Sequence, residues 1–217
     1  MSGKNVYLVS GANRGIGYGL AAAIAARPNT IVFGGARDPT AQSPKELAAK
    51  HPNVHSVKIT SGDKVDDEAA IAEIQKTARQ LDVEINTLGL IVLFQTVNTL
   101  LSASPTGAPK FIYISSSTGS VRRYMNMSAS ASGSSRTVAN FLIKALDVEN
   151  PSLITLAISP GWLATDMGNE GAREDGVAGI LSRIDGATNE KSSGRFWNYQ
   201  VSNDGNPWDI ETDEVPW

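Results

Sequence analysis

A glycine-rich turn near the start of the chain constrains its fold more than any other feature. The turn joins a short apolar strand to the apolar start of a helix, within residues 6–17. Gly11, Gly15 and Gly17 allow the backbone to turn tightly, to approach a pyrophosphate closely and to pack the helix against the strand. Phosphate oxygens then meet free N–H groups at the helix N-terminus. The spacing predicts a dinucleotide-binding unit, with a glycine-rich turn that binds nothing as the alternative.

Strand-like and helix-like segments alternate along most of the chain. The patterns predict strands over 5–10, 30–34, 54–59, 110–115, 152–158 and 195–199, and helices over 17–26, 44–50, 66–80 and 179–187. Strands that alternate with helices in this way pair in parallel and are covered by helices on both faces. We therefore predict one α/β domain over residues 1–217, with a Rossmann-like, doubly wound parallel sheet.

The composition argues against several other classes of protein. The 217 residues carry a net charge of -3 and 41% hydrophobic residues, so no basic surplus suggests nucleic acid. Cysteine is absent, which excludes disulfides and thiolate nucleophiles. No apolar run reaches the ~20 residues that a membrane span needs, and no signal peptide is recognisable, so we expect a cytoplasmic protein without membrane contact. No metal site is predicted, because Pro52 separates His51 from His55 and no third ligand stands nearby.

The residue after the second predicted strand indicates the cofactor. A domain specific for NAD places an acidic residue there to bind the ribose hydroxyls, whereas this chain has Arg37. Arg14 in the glycine turn is a second candidate. Because an arginine fork matches a 2′-phosphate, the pair predicts NADP. Two solvated surface charges are the alternative, and Asp38 supplies an acidic residue directly afterwards.

The turn also carries a more specific resemblance. Residues 10–17, Ser-Gly-Ala-Asn-Arg-Gly-Ile-Gly, resemble the TGxxxGxG turn of short-chain dehydrogenases/reductases. The resemblance continues along most of the chain and is closest to fungal ketoreductases of the norsolorinic acid type, especially over 169–173 and 193–199. It implies a cofactor-binding half over 1–83 and a degenerate catalytic half with a C-terminal tail over 84–217. The residues that it implies at the cofactor in this turn are Gly11, Asn13, Arg14, Gly15, Ile16 and Gly17.

The resemblance is interrupted after the predicted helix over 66–80. Family members continue with a central strand ending in Asn-Ala-Gly, then a substrate-lining segment and a long helix. Residues 81–83 resemble the start of that strand and 84–89 the middle of that helix, so roughly thirty residues are missing, the size of a supersecondary unit. We therefore predict a sheet that lacks or replaces one central strand, with 89–94 as the segment most able to replace it. A mispredicted exon or a truncated copy is the simplest explanation.

The catalytic residues implied by the resemblance are only partly present. Asn86 falls on the asparagine of the family's active-site tetrad and Ser116 on its serine, with Ser115 as the neighbour to exclude. The family's tyrosine transfers a proton, and its lysine binds the nicotinamide ribose and lowers the tyrosine pKa. Ser132 and Arg136 stand at those two positions. A serine hydroxyl is a poorer acid than a phenol and is shorter, so the ordinary proton relay is absent.

Other residues complete the predicted site. The resemblance places Pro160 and Gly161 against the nicotinamide and Thr165 against its carboxamide or a phosphate. Tyr124 is an alternative proton source, with an ordinary exposed loop tyrosine as the simpler interpretation. Trp208 and Trp217 in the tail either cover the substrate mouth or a subunit edge, or pack on the body of the domain.

Three functions stay open at this stage. The resemblance implies an NADP-dependent reductase of fungal secondary-metabolite biosynthesis, acting on a carbonyl or an imine. An acceptor that is already activated, such as an iminium ion, needs no acid. The second alternative is a non-redox cyclase or isomerase that uses the old cofactor pocket for positioning and electrostatics. The third is a truncated, inactive copy. The expected partner is a small-molecule substrate, and a homo-oligomer is left open.

Overall fold

The computed structural model describes residues 4–86, 89–126, 128–161, 163, 176–199 and 213–217. The chain divides into two compact units, Met1–Phe111 and Ile112–Trp217. The boundary lies inside the fifth strand, so this strand contributes residues to both units.

Strands and helices alternate in both units. The first unit contains β1 (Asn5–Ser10), α1 (Gly15–Ala25), β2 (Thr30–Ala36), α2 (Gln42–Lys50), β3 (Val54–Lys58), α3 (Lys64–Thr77), β4 (Val83–Asn86), α4 (Leu90–Ser102) and the start of β5 (Lys110–Ile114). The described residues of the second unit contain the end of β5, a short 3-10 turn (Ser117–Gly119), α5 (Ser130–Glu149), β6 (Ile154–Ser159), α6 (Gly176–Gly186), α7 (Asn189–Ser192) and β7 (Arg195–Asn198).

The sheet of the first unit is centred on β1. Its strands follow the order β3-β2-β1-β4-β5, and β1 pairs in parallel with β2 on one edge and with β4 on the other. Leu8 is level with Phe33 of β2 and with Glu84 of β4. Parallel strands joined through helices confirm the predicted Rossmann-like α/β fold.

A central strand is present, so of the two predicted alternatives the sheet does not lack this strand. Residues 83–86 form β4 beside β1, so the expectation that residues 84–89 lie within a helix is wrong. The helix α4 begins at Leu90, so residues 89–94 do not replace a strand either. Only three residues connect β4 to α4. The shortening relative to the family pattern therefore follows the central strand, at the place where the resemblance implies a substrate-lining segment.

Asp82 fixes the position of β4 against β1. The backbone N–H of Val6 donates to Asp82 Oδ2 at 2.7 Å, and the Asp82 N–H donates to the Val6 carbonyl at 2.8 Å. Ser104 Oγ donates to Asp82 Oδ1 at 2.5 Å, and the Lys110 N–H donates to the Asp82 carbonyl at 2.9 Å. One buried aspartate thus joins the starts of β1, β4 and β5.

The second unit is built on β6. Its strands follow the order β5-β6-β7; the Ser115 N–H donates to the Ile158 carbonyl at 2.8 Å, and β7 pairs in parallel with β6. The long helix α5 packs against β6 and against the turn that follows β5. None of the described helices has the length and apolar character needed to cross a lipid bilayer.

The last residues of the tail lie against β7. The Val215 N–H donates to the Phe196 carbonyl at 2.7 Å, and Glu214 forms an isolated antiparallel bridge with Trp197. The Trp217 ring lies 5.7 Å from the Phe196 ring. The contacts of Trp217 therefore match the packing alternative; Trp208 lies outside the described residues.

Candidate cofactor site and active-site residues

The glycine turn after β1 is as tight as its spacing predicts. Gly11 and Gly15 have φ angles of 72° and 53°, which disfavour residues with a Cβ. A Cβ on Gly17 would lie 2.3 Å from the Gly11 carbonyl oxygen and 2.8 Å from its carbon. The helix α1 therefore packs directly on the turn, in a way that only glycine permits.

The N-terminus of α1 has no side-chain cap. Arg14 is the N-cap, and its side chain makes no capping hydrogen bond. The first N–H groups of an α-helix have no partner within the helix, so they are available to phosphate oxygens. Ser43 Oγ donates to the Asn13 carbonyl at 2.6 Å and holds the turn against α2. Ile16, the second residue of the helix, is half-buried. The residues of this turn thus fit the pyrophosphate of a dinucleotide.

The two candidate arginines belong to the same edge of the first unit. Arg14 and Arg37 are both exposed, and the Ala12 N–H donates to the Gly35 carbonyl at 2.9 Å, which ties the turn to the end of β2. Asp38 is engaged locally, since its Oδ1 accepts from Thr40 Oγ1 at 2.6 Å and from the Thr40 N–H at 2.9 Å. These hydrogen bonds hold the pKa of Asp38 below its usual value.

Asn86 is the last residue of β4 rather than part of a helix. The helical position that the resemblance implied for this residue is therefore wrong, because the free edge of β1 pairs with β4. Asn86 stands instead at the carboxyl end of a strand next to the glycine turn. Ligands of open parallel sheets bind at this end.

The structure separates the two serines at the end of β5. Ser115 is 2 % exposed, and its Oγ donates to Asn140 Oδ1 at 2.6 Å. Ser116 is half-buried, and its Oγ accepts from the Thr118 N–H at 3.3 Å and from Thr118 Oγ1 at 3.0 Å. A hydroxyl oxygen has two lone pairs, so the remaining capacity of Ser116 is its own O–H. Ser116 is thereby prepared to donate a hydrogen bond.

The replacements for the tyrosine and the lysine both lie on α5, but their surroundings differ. Ser132 is exposed in the first turn of this helix. Arg136 is half-buried, and its Nη1 donates to the Ile114 carbonyl at 2.5 Å and to the Tyr113 hydroxyl at 3.4 Å. The guanidinium carbon also lies 5.7 Å from the centre of the Tyr113 ring. In this arrangement Arg136 fastens α5 to β5.

The remaining predicted residues are distributed differently. Pro160 is buried directly after β6, and Gly161 has a φ of 63°, so the chain turns sharply there. Thr165 lies outside the described residues. Tyr124 is 79 % exposed, which matches the interpretation as an ordinary loop tyrosine.

Sequence reasoning missed several polar residues that organise these sites. Asp82 and Glu84 are buried in the first unit, and Tyr113 and Asn140 hold the α5 side of the second. Asp82 and Glu84 stand within a short run flanked by apolar residues, which is a signal of buried carboxyl groups. No spacing pattern identifies Tyr113 or Asn140, because their partners are distant in sequence.

Known proteins resemble this chain over most of its length. The family model described as "short chain dehydrogenase" matches residues 5–100. Norsolorinic acid ketoreductase nor1 of Dothistroma septosporum is 31% identical over 255 residues, which cover 95% of this chain and 94% of the relative. The short chain dehydrogenase gsfK of Penicillium aethiopicum is 31% identical over 246 residues, covering 90% of this chain and 96% of the relative. Both alignments are longer than the chain, so these relatives contain residues that it lacks.

Solved structures share the fold at lower identity. The carbonyl reductase Sniffer of D. melanogaster has a TM-score of 0.84 and 23% identity, with 99% of this chain and 100% of that chain covered. The NADPH-bound carbonyl reductase from chicken fatty liver has a TM-score of 0.83 and 24% identity, with coverage of 99% and 95%. These values establish a common architecture.

Proposed function

Because the chain belongs to the short-chain dehydrogenase family, we propose that it binds NADP and reduces a carbonyl or an imine of a small-molecule substrate. The observation that carries the proposal is the turn at Gly17, where the helix approaches the Gly11 carbonyl too closely for any side chain. Such a turn serves to bring backbone N–H groups to a pyrophosphate. Relatives named norsolorinic acid ketoreductase support a substrate from fungal secondary metabolism.

The chain's own residues would divide the work as follows. The turn over residues 11–17 would hold the pyrophosphate, and Arg14 with Arg37 would bind the 2′-phosphate. The bound nicotinamide would supply a hydride. Ser116, with Thr118 donating to its oxygen, would donate a hydrogen bond to the substrate oxygen or nitrogen. The nicotinamide would contact Pro160, Gly161 and Thr165. The substrate would bind near Asn86, at the carboxyl end of β4.

The lack of a tyrosine to donate a proton limits the range of substrates. An exposed serine at position 132 cannot replace a phenol as proton donor, because its hydroxyl is a far weaker acid. An acceptor that is already activated, such as an iminium ion, fits this site better than an ordinary ketone. The same observation favours a second candidate function, a non-redox cyclisation or isomerisation that depends on positioning alone. We also propose that the protein is cytoplasmic and forms a homo-oligomer.

A thermal melt tests cofactor binding directly. A ligand that binds only the native state stabilises it by about 2.7 kcal/mol at a hundredfold excess over its dissociation constant, which shifts the melting temperature by several degrees. We expect NADPH to raise the melting temperature and NADH to have little effect. NADPH oxidation with iminium, ketone and cyclisation substrates then separates the two candidate functions. No shift with either nucleotide would contradict the proposed cofactor, and a truncated, inactive copy would then be the better description.

Arg37→Glu should reverse the cofactor preference. The arginine would lose about 1.5–3 kcal/mol of charge-assisted hydrogen bonding to the 2′-phosphate, which corresponds to roughly 10- to 100-fold in NADPH affinity. The new carboxylate would accept the ribose hydroxyls of NADH. Fluorescence titration with both nucleotides measures the change. Arg79→Glu makes the same change of charge at an exposed position after α3 and should leave both affinities unchanged.

Arg136→Met should affect stability more than cofactor affinity. The substitution removes the donor to the Ile114 carbonyl and the contact with the Tyr113 ring. We expect the free energy of unfolding to fall by about 1–2 kcal/mol, with the NADPH affinity within threefold of the original. Arg14→Met should show the opposite, because Arg14 is exposed and makes no capping hydrogen bond. A large loss of NADPH affinity in Arg136→Met would assign Arg136 to the cofactor ribose instead.

A further inference from the structure

A carboxyl group is buried in the middle of β4 without a partner. Glu84 is 0 % exposed, and neither of its carboxyl oxygens has a hydrogen-bond partner among the described residues. Its neighbour on β1 is Leu8, which is also fully buried. Burying a charge without a partner is costly, so this position strongly favours the protonated carboxyl group.

A second buried carboxyl group lies on α3. Asp67 is 1 % exposed, and its Oδ1 also has no partner within the described part of the chain. Burial raises the pKa of Asp67 to about 6, and the nearby Asp63 and Asp66 act in the same direction. Burial raises the pKa of Glu84 well above its usual value, and Asp67 adds to the rise. A charge on Asp67 therefore opposes the ionisation of Glu84.

Among the residues that the structure describes, no salt bridge joins Glu84 or Asp67 to a cation. The lysines of α3 and β3 form salt bridges with other carboxylates at the surface. These pairs are Lys58–Asp66, Lys64–Glu68 and Lys76–Glu73. The sequence of α4, over Leu90–Ser102, contains no titratable side chain. On β1 the titratable residue is Tyr7, which is level with Val83 and so lies on the other face of the sheet from Glu84. At the start of β5, the Lys110 N–H donates to the Asp82 carbonyl.

The strand that holds Glu84 supports the cofactor turn. Val9 is level with Ile85, and Ser10 Oγ donates to the Ile85 carbonyl at 3.4 Å. Ser10 directly precedes Gly11, where the turn begins. A change in the pairing of β4 is therefore transmitted to the turn through one or two residues of β1.

We propose that Glu84 and Asp67 form a buried acid pair that makes the first unit pH-sensitive, so that β4 and the adjoining cofactor turn are held fully only while the pair is protonated. Ionisation of the pair places an uncompensated charge inside the unit and loosens the pairing of β4 with β1. The device does not depend on which reaction the chain catalyses.

The direction of the pH dependence follows from the raised pKa values. A carboxyl group whose pKa is higher in the folded state contributes stability that is complete below its unfolded-state pKa and is lost as the pH rises through the folded-state pKa. The stability contributed by Asp67 is lost as the pH rises from 3.8 to about 6. The stability contributed by Glu84 begins to fall at pH 4.5, and the loss extends to well above that pH. The contribution of the pair is therefore largest in acid and absent in alkali.

Thermal melts of the full chain and of Glu84→Gln between about pH 4.5 and 8.5 test the proposal. Glutamine has the shape of the protonated glutamate but cannot ionise. We expect the melting temperature of Glu84→Gln to exceed that of the unmodified chain by roughly 5 °C or more at the alkaline end, with the difference vanishing toward the acidic end. Asp67→Asn should show a smaller gain. Glu73→Gln is the matched control, because Glu73 is exposed and lies on α3, the helix of Asp67. Its melting temperature should depend on pH in parallel with that of the unmodified chain.

Amide hydrogen exchange tests the connection to the cofactor turn. At the alkaline end, β1 and β4 of the unmodified chain should exchange faster than the same strands of Glu84→Gln, after correction for intrinsic rates. Parallel melting curves for the unmodified chain and both Glu84→Gln and Asp67→Asn would overturn the proposal. A Glu84→Gln protein that melts below the unmodified chain at the alkaline end would overturn it too. If Glu84→Gln does not fold, Asp67→Asn provides the same comparison.

Discussion

Replacing Gly17 with valine is expected to abolish the stabilisation of this chain by NADPH. A Cβ at this position would lie 2.3 Å from the Gly11 carbonyl oxygen and 2.8 Å from the carbonyl carbon. Both atoms belong to the backbone, so they cannot move aside as a side chain could. The N-terminus of α1 must then move away from the turn, so its N–H groups lose the position that a pyrophosphate requires. We expect a loss of at least about 100-fold in NADPH affinity and about 2–3 kcal/mol in the free energy of unfolding. Fluorescence titration and denaturant unfolding measure the two effects.

Gly186→Ala is the matched control for this substitution. A Cβ on Gly186, at the end of α6, would meet nothing within 4 Å. The control should therefore keep both the NADPH affinity and the stability of the original chain. A Gly17→Val protein that still melts at a higher temperature with NADPH would show that the cofactor does not use the glycine turn.

Asp82→Ala is expected to produce the largest loss of stability outside the cofactor turn. The substitution removes the acceptor of the Val6 N–H and of Ser104 Oγ, at 2.7 Å and 2.5 Å. The Val6 N–H stays buried without a replacement acceptor, and an unsatisfied buried donor costs about 1–3 kcal/mol by itself. We expect the free energy of unfolding to fall by about 3–4 kcal/mol, as measured by denaturant unfolding.

Ser104→Ala separates the contribution of the side-chain pair from that of the backbone contact. It removes one donor to Asp82 while the Val6 N–H keeps its acceptor, so the loss should be only about 1 kcal/mol. Equal losses in Ser104→Ala and Asp82→Ala would mean that the contact with β1 contributes little. The position of β4 would then depend on its apolar neighbours instead.

Local patterns were sufficient to predict most of the secondary structure. The glycine turn, the Rossmann-like fold and the α/β alternation depend on residues close together in sequence, and they are found as predicted. The boundaries differ by a few residues; for instance, α3 extends over Lys64–Thr77 instead of 66–80. Helix ends depend on capping contacts, such as Asp63 accepting from the Val65 and Asp66 N–H groups, which periodicity does not reveal.

The central strand was misplaced for an identifiable physical reason. β4 has only four residues, and Glu84 interrupts its apolar character with a carboxyl group. The family resemblance alone placed residues 84–89 in the middle of a helix. The free edge of β1 decides otherwise, because its backbone groups need partners and residues 83–85 supply them. This pairing connects residues about 76 positions apart, which no local pattern contains.

The site shows the same division between local and distant information. The sequence by itself determined the glycine turn and the two candidate arginines, and the family resemblance added that Ser132 and Arg136 replace a tyrosine and a lysine, since each is a matter of residue type at a fixed spacing. Only the tertiary structure decided that the Ser115 hydroxyl donates to Asn140 and that Arg136 donates to the Ile114 carbonyl. It also decided that Glu84 is buried without a hydrogen-bond partner among the described residues. The reason is physical: the state of a polar side chain depends on the burial and the hydrogen-bond partners that distant segments bring to it.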